Sequence, residues 1–254
     1  DTSVTANTVT INVTSVNDAP TATSSTLTVL EDGSKTFAAA DFGFADVDGN
    51  TLSAAIITTL PVAGTLKLSG VAVTLNQSIA VASLGNLVFT PAANANGATY
   101  ASIGFKVQDN GGTANGGVDT STTANTLTMS VTAVNDAPTA ANNTFTVLEG
   151  ASKTFAAADF GFSDVLDGNT LSAVIITTLP TAGTLTLSGV AVTLNQSIAV
   201  ASLGNLVFTP AANANGTAYA SIGFKVQDNG GTANSGVDTS VTANTVTINV
   251  TSVN

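Results

Sequence analysis

The sequence predicts an all-β chain of two tandem β-sandwiches, and three observations carry that prediction. The chain repeats itself: Val16-Asn-Asp-Ala-Pro20 returns as Val134-Asn-Asp-Ala-Pro138, and Gly104 to Asp109 returns as Gly223 to Asp228. The opening segment Asp1–Asn17 recurs letter for letter as Asp238–Asn254, so the chain reads as a window cut from a longer tandem array. Finally, short stretches of alternating Val, Ile, Leu and Thr are separated by Gly, Asn, Asp and Pro, which is strand-and-turn chemistry.

Within the first copy the elements follow in order. After the Asn17-Asp-Ala-Pro20 turn, Leu27 and Val29 alternate with Thr26 and Thr28 as a first strand, and Glu31-Asp-Gly33 turns the chain. Thr36–Ala38 is a short second strand leading into the loop Asp46-Val-Asp-Gly-Asn50. Leu52, Ala54 and Ile56 are expected to face inward, followed by Leu66 and Leu68 after the Pro61 and Gly64 breaks. Residues 79–87 suit an irregular or short helical crossover, and Leu87 with Phe89 forms a further strand. Ile103, Phe105 and Val107 alternate before the Asp109-Asn-Gly-Gly112 turn, and Leu127, Met129 and Val131 make the last strand. Some seven strands in about 118 residues predict an immunoglobulin-like sandwich. The second copy repeats each element, with Leu166 inserted in its second-to-third-strand loop. The expected divisions are 1–17, the closing strand of a preceding truncated repeat, then sandwiches at 18–134 and 135–254.

Composition narrows the function. With 44% hydrophobic residues, 8% charged and a net charge of −11, the chain offers no basic footprint for nucleic acid. No apolar run approaches the roughly 20 residues that span a bilayer. The chain has no His, Cys or Trp, which leaves neither a triad nor a thiol nucleophile, so an enzyme and a small-molecule substrate are not expected. Lys35, Lys67 and Lys106 read as solvated strand positions that guard edges, and Asp41, Asp119 and Asp159 as loop residues.

The remaining acidic residues are the candidate site. Asp18, Asp46, Asp48 and Asp109 fall in the linker, the second-to-third-strand loop and the loop after the sixth strand, which meet at one end of such a sandwich. Carboxylates gathered there repel unless a cation sits among them, and oxygen-only ligands favour calcium. Plain turn chemistry is the alternative, because Asx side chains bond their own backbone.

The order Val-Asn-Asp-Ala-Pro, Leu-Glu-Asp-Gly, Asp-Val-Asp-Gly-Asn, Phe-Thr-Pro-Ala-Ala-Asn and Val-Gln-Asp-Asn-Gly-Gly resembles the cadherin-like, VCBS-type repeats of giant bacterial surface adhesins exported by type I secretion. The resemblance implies an extracellular, calcium-stiffened spacer at the bacterial cell surface, whose partners are neighbouring repeats or the same protein in a filament. It also implies a ligand map. Asn17 and Asp18 match the cadherin linker, Asp46 and Asp48 its paired aspartates, and Asp109 the Asp of its Ala-x-Asp-x-Gly turn. Glu31 matches the first-strand Glu that reaches the opposite end, toward Asp136. In the second copy the set is Asn135, Asp136, Asp164, Asp167 and Asp228. No Asp-x-Glu precedes the sixth strand, where Asn94 and Asn96 stand instead, and Leu166 spreads the second loop. Both departures imply fewer or weaker ions. A filament joined by β-strand addition through residues 1–17, and a glycan-binding module, are the alternative functions.

Overall fold

The structure, a computed structural model, describes residues 5–254 and divides into two units, Asp1–Ala133 and Val134–Asn254. The first unit contains β1 (Ser25–Leu30), β2 (Lys35–Thr36), β3 (Leu52–Thr59), β4 (Thr65–Leu68), β5 (Val71–Ala72), β6 (Ser78–Ala80), β7 (Leu87–Thr90), β8 (Gly97–Asp109) and β9 (Asn125–Thr132). They form two sheets, ordered β1-β9-β8-β3-β6 and β2-β7-β4-β5. The second unit repeats the plan with β10 (Asn143–Leu148), β11 (Lys153–Thr154), β12 (Leu171–Thr178), β13 (Thr184–Leu187), β14 (Val190–Ala191), β15 (Ser197–Ala199), β16 (Leu206–Thr209), β17 (Gly216–Asp228) and β18 (Asn244–Thr251). Its sheets run β10-β18-β17-β12-β15 and β11-β16-β13-β14. Each unit is therefore an all-β, immunoglobulin-like sandwich.

The alternation read in the sequence packs as expected in β8 and β9, where Ile103, Phe105, Val107, Leu127, Met129 and Val131 are all buried. β1 pairs with β9 in parallel, Leu27 opposite Met129 and Val29 opposite Val131, so the first and last strands lie side by side and point the same way. Residues 81–86 form the irregular crossover as a 3-10 turn that buries Leu84.

In β3 the inward face differs from the sequence reading by one position. The register of β3 against β8 shifts between Leu52 and Ala54; Ala54 is buried as expected but lies outside the core cluster, which Ala55 and Ile57 enter at 0% exposure. An extra residue in one strand flips the faces beyond it, so Leu52 still packs on the core while Ile56 is only partly buried, on the opposite face of the sheet.

A second difference concerns the lysines. Lys35 is not a freely solvated edge guard: its Nζ lies 3.0 Å from Asp41, whose other role is to accept the Ala38 amide at 2.8 Å and start the 3-10 turn Ala39–Phe42. That turn drops Phe42 into the core, edge-on to Phe105 with ring centroids 5.1 Å apart. In the second unit Lys153 pairs with Asp159 at 2.8 Å and also lies 4.2 Å from the Phe145 ring centroid.

Of the segment expected to be a closing strand, residues 1–4 lie outside the described residues. Thr5–Asn17 forms no strand, and Val9, Ile11 and Val13 are 85%, 81% and 90% exposed. The same letters at Asn244–Thr251 form β18, whose Val246, Ile248 and Val250 are buried between β10 and β17. A lone strand has no facing sheet on which to bury its apolar side.

Candidate functional site

Three segments meet at the leading end of each sandwich. In the first unit, Thr21 and Ala45 exchange two backbone hydrogen bonds of 2.8 and 2.9 Å, which ties the incoming chain to the β2–β3 loop. The Val118 amide donates to the Asn17 carbonyl at 2.9 Å, and the Asn110 amide to the Thr51 carbonyl at 3.1 Å, which ties the β8–β9 loop to both. The candidate residues are thus held by backbone before any side chain acts.

Asn17 is the hub. Its Nδ2 donates to Asp109 Oδ1 at 3.1 Å and to the Val118 carbonyl at 2.8 Å, while its Oδ1 accepts from Asn50 Nδ2. Gly111 lies directly against this carboxamide: a Cβ at Gly111 would overlap Asn17 Oδ1 and Asn50 Nδ2. Asp46 Oδ1 accepts the Asp48 and Asn50 amides, both at 2.9 Å, and Asp48 Oδ2 accepts the Asp18 amide at 2.7 Å. Asp109 Oδ1 also accepts the Gly111 amide at 2.8 Å. Asp18 therefore joins through its backbone.

The second unit builds the same arrangement. Asn135 Nδ2 reaches Asp228 Oδ1 at 3.1 Å and the Val237 carbonyl at 2.9 Å, and Asn169 donates to Asn135 Oδ1. Gly230 stands against Asn135 as Gly111 does against Asn17. The inserted Leu166 does not pull the loop away. Val165 and Leu166 point outward at 85% and 51% exposure, Asp167 Oδ2 still accepts the Asp136 amide at 2.5 Å, and the Asp167 amide donates to Asp164 Oδ1 at 3.1 Å.

The electrostatics leave something unfinished. Asp109 and Asp228 are each only 3% exposed. Asp46 Oδ2, Asp109 Oδ2 and Asp164 Oδ2 are buried with no hydrogen-bond partner. Burying an unpaired carboxylate oxygen costs free energy. Burial pushes the Asp228 carboxyl above its ordinary value, against the bonds from the Gly230 amide and Asn135, with the charges of Asp164 and Asp238 adding to the rise. Among the described residues no three acidic groups converge as a ready-made metal centre. The donors are nonetheless all oxygen, charged and short of partners, which suits a hard cation such as calcium.

Glu31 stands apart from this cluster. It is 3% exposed at the trailing end of its sandwich, where its amide donates to the Thr132 carbonyl at 2.9 Å and its Oε2 accepts from Asn96 at 3.0 Å. The thirteen residues of β8 separate it from Asp109, roughly 40 Å at about 3.3 Å per residue. The counterpart Glu149 accepts from Asn215. The residues missed in the sequence are Asn50, Asn169, Gly111 and Gly230. Both pairs lie beyond the Leu166 insertion and recur in the two copies at the same 119-residue offset.

Comparison with known proteins adds three findings. No curated protein matches the chain. Solved structures similar to it include human mucin-like protocadherin EC1-2, at 14% identity and TM-score 0.42, covering 93% of this chain and 100% of that one. Mouse protocadherin-24 EC1-3 has 13% identity and TM-score 0.43 over 91% and 70%, and the human desmocollin-1 ectodomain 14% and 0.29 over 80% and 34%. These likenesses are too distant to bear weight beside the strand order itself. The profile of the bacterial Ig domain, in contrast, matches residues 17–123 and again 135–251, nearly the whole of both sandwiches, and the chain belongs to that family as two tandem copies.

Proposed function

We propose that the chain is a non-enzymatic spacer: consecutive repeats of a long secreted bacterial surface adhesin or extracellular fibre of the type I-secreted, VCBS-like kind, serving cell adhesion or biofilm. Two near-identical sandwiches support this reading, since their loops, such as Thr74–Ser78 and Thr193–Ser197, carry the same letters where a ligand-reading module would vary them. Each sandwich adds on the order of 30–40 Å to such a stalk.

Calcium at the leading end is the stiffening element of this proposal. The observation that carries it is the set of buried carboxylate oxygens without partners at Asp46, Asp109 and Asp164. Asp46, Asp48, Asp109, Asn17 and Asp18 would hold the ion in the first unit, and Asp164, Asp167, Asp228, Asn135 and Asp136 in the second. A divalent cation held by these oxygens would supply the positive charge that balances the carboxylates of the incoming linker and the two loops. The chain's own part is to hold those oxygens together, through Asn17 on Asp109 and Asp48 on the Asp18 amide.

Titration calorimetry with calcium, and small-angle scattering with calcium and with chelator, test the proposal. Heat of binding that disappears in the Asp46→Asn, Asp109→Asn, Asp164→Asn, Asp228→Asn variant, together with a longer maximum dimension in calcium, is the expected result. An unchanged dimension removes the stiffening role, and absent binding heat removes the ion.

A second reading is a filament closed by strand addition, and the exposure of Val9, Ile11 and Val13 favours it, because the same letters are buried as β18. Deleting residues 5–14, which spares Asn17, without any change in assembly counts against that reading.

A further inference from the structure

Apart from Lys225 in the middle of β17, which β12 separates from β15, the charges of the second unit lie on one side and at one end. No Asp, Glu, Lys or Arg occurs from Gly168 to Phe224, although the chain carries a net charge of −11. Glu149, Lys153 and Asp159 belong to the side of β10 and β11, and Asp136, Asp164, Asp167, Asp228 and Asp238 to the loop end. The opposite flank is formed by β14 and β15, the terminal strands of the two sheets. The link between them is short, and the Asn195 amide on the Ile176 carbonyl at 2.7 Å holds it against β12.

This flank is apolar as well as uncharged. Val190, Leu194 and Val200 are exposed by 71%, 57% and 37%. Beside them lies a shallow groove of about 170 Å³ lined by Leu179, Pro180, Leu185, Ala191 and Val192. The first unit has the matching groove, but Lys67 lines it, where the second unit carries Thr186. A lysine next to a terminal strand discourages edge contacts, so the first flank is guarded and the second is not.

We infer that the β14–β15 flank of the second unit is a lateral self-association face whose occupant is the same flank of a second copy of this chain. The charge distribution selects that occupant. Two copies of a strongly acidic chain repel through their carboxylate-bearing surfaces, and this flank brings apolar area together without bringing charges together. An identical patch on both partners is satisfied by a two-fold arrangement, with Val190 and Leu194 of each copy set against the groove of the other.

Sedimentation of the full chain across a concentration series tests this. A reversible dimer is expected, strengthened by added salt, which screens the repulsion between two acidic copies. Val190→Glu with Leu194→Glu is expected to weaken it by about tenfold or more. Both side chains are exposed, and an unchanged melting temperature confirms that the variant is folded. The matched pair Val71→Glu and Leu75→Glu in the first unit is expected to leave the dimer intact. A wild-type chain that stays monomeric at low and high salt, a dimer indifferent to Val190→Glu with Leu194→Glu, or one equally broken by the first-unit pair overturns the assignment.

Discussion

Removing the Asn17 carboxamide is the most direct probe of the leading-end cluster. Asn17→Ala deletes the two bonds donated by Nδ2, to Asp109 Oδ1 and to the Val118 carbonyl, and the one accepted by Oδ1 from Asn50. At a net ~1 kcal/mol per bond, and more for the bond to a carboxylate, the loss is about 3 kcal/mol. A domain of this size shifts by on the order of 4 °C per kcal/mol, so the first unit should melt roughly 12 °C lower. Two units of near-identical sequence are expected to melt together in the wild type. In differential scanning calorimetry Asn17→Ala therefore splits one transition into two, and Asn135→Ala splits it the other way. The double variant restores a single, lower transition. Gly111→Ala should reproduce much of the effect without touching Asn17, because its Cβ displaces the same carboxamide. A shift of under about 2 °C in Asn17→Ala would show that the linker is not locked by this residue.

Three further outcomes follow from particular residues. Ile57→Ala should cost about 2–5 kcal/mol in denaturant unfolding and Ile56→Ala under about 1 kcal/mol, because Ile57 is wholly buried while Ile56 is only partly buried on the outer face of the sheet; equal costs contradict the shifted register. Lys153→Met should destabilise its unit by roughly 0.5–1 kcal/mol more than Lys35→Met does its own, since Phe145 lies beneath Lys153 where the first unit has Leu27. Bonds from Gln108 and then Thr120 hold the Asp119 carboxyl below its ordinary value. Its contribution is therefore complete above the unfolded value near 3.8 and is lost as the pH falls through the lower folded value. The wild type should then exceed Asp119→Asn in urea midpoint by more at pH near 6 than at pH near 2.5; a pH-independent difference refutes the sign.

The strands legible in the sequence were those whose alternation is uninterrupted, such as β8 and β9, because period-two burial leaves a direct imprint on the letters. The inward face of β3 was not legible. Leu52, Ala54 and Ile56 alternate just as well as Ala55 and Ile57, and the bulge that chooses between them lies in the pairing with β8. Lys35 misled for a related reason, since its partner Asp41 is brought near by a 3-10 turn with no strong local signal. At the site, the loops that gather could be read from topology and turn residues. Asn50 and Gly111 recur in both copies, but so does almost every other residue, and their particular contribution, the fit around one carboxamide, leaves no mark in the letters.

The parallel pairing of β1 with β9 has a mechanical consequence. The chain enters each sandwich at the start of its first strand and leaves at the end of its last, at opposite ends of the fold. Tension applied through the termini therefore slides β1 along β9 and does not peel it away. The six registered pairs from Ser25–Leu127 to Leu30–Thr132 are loaded together and must give way nearly at once, where a peeled strand would surrender them one by one. Along its length such a sandwich is held by all six pairs acting in concert, in addition to its buried core.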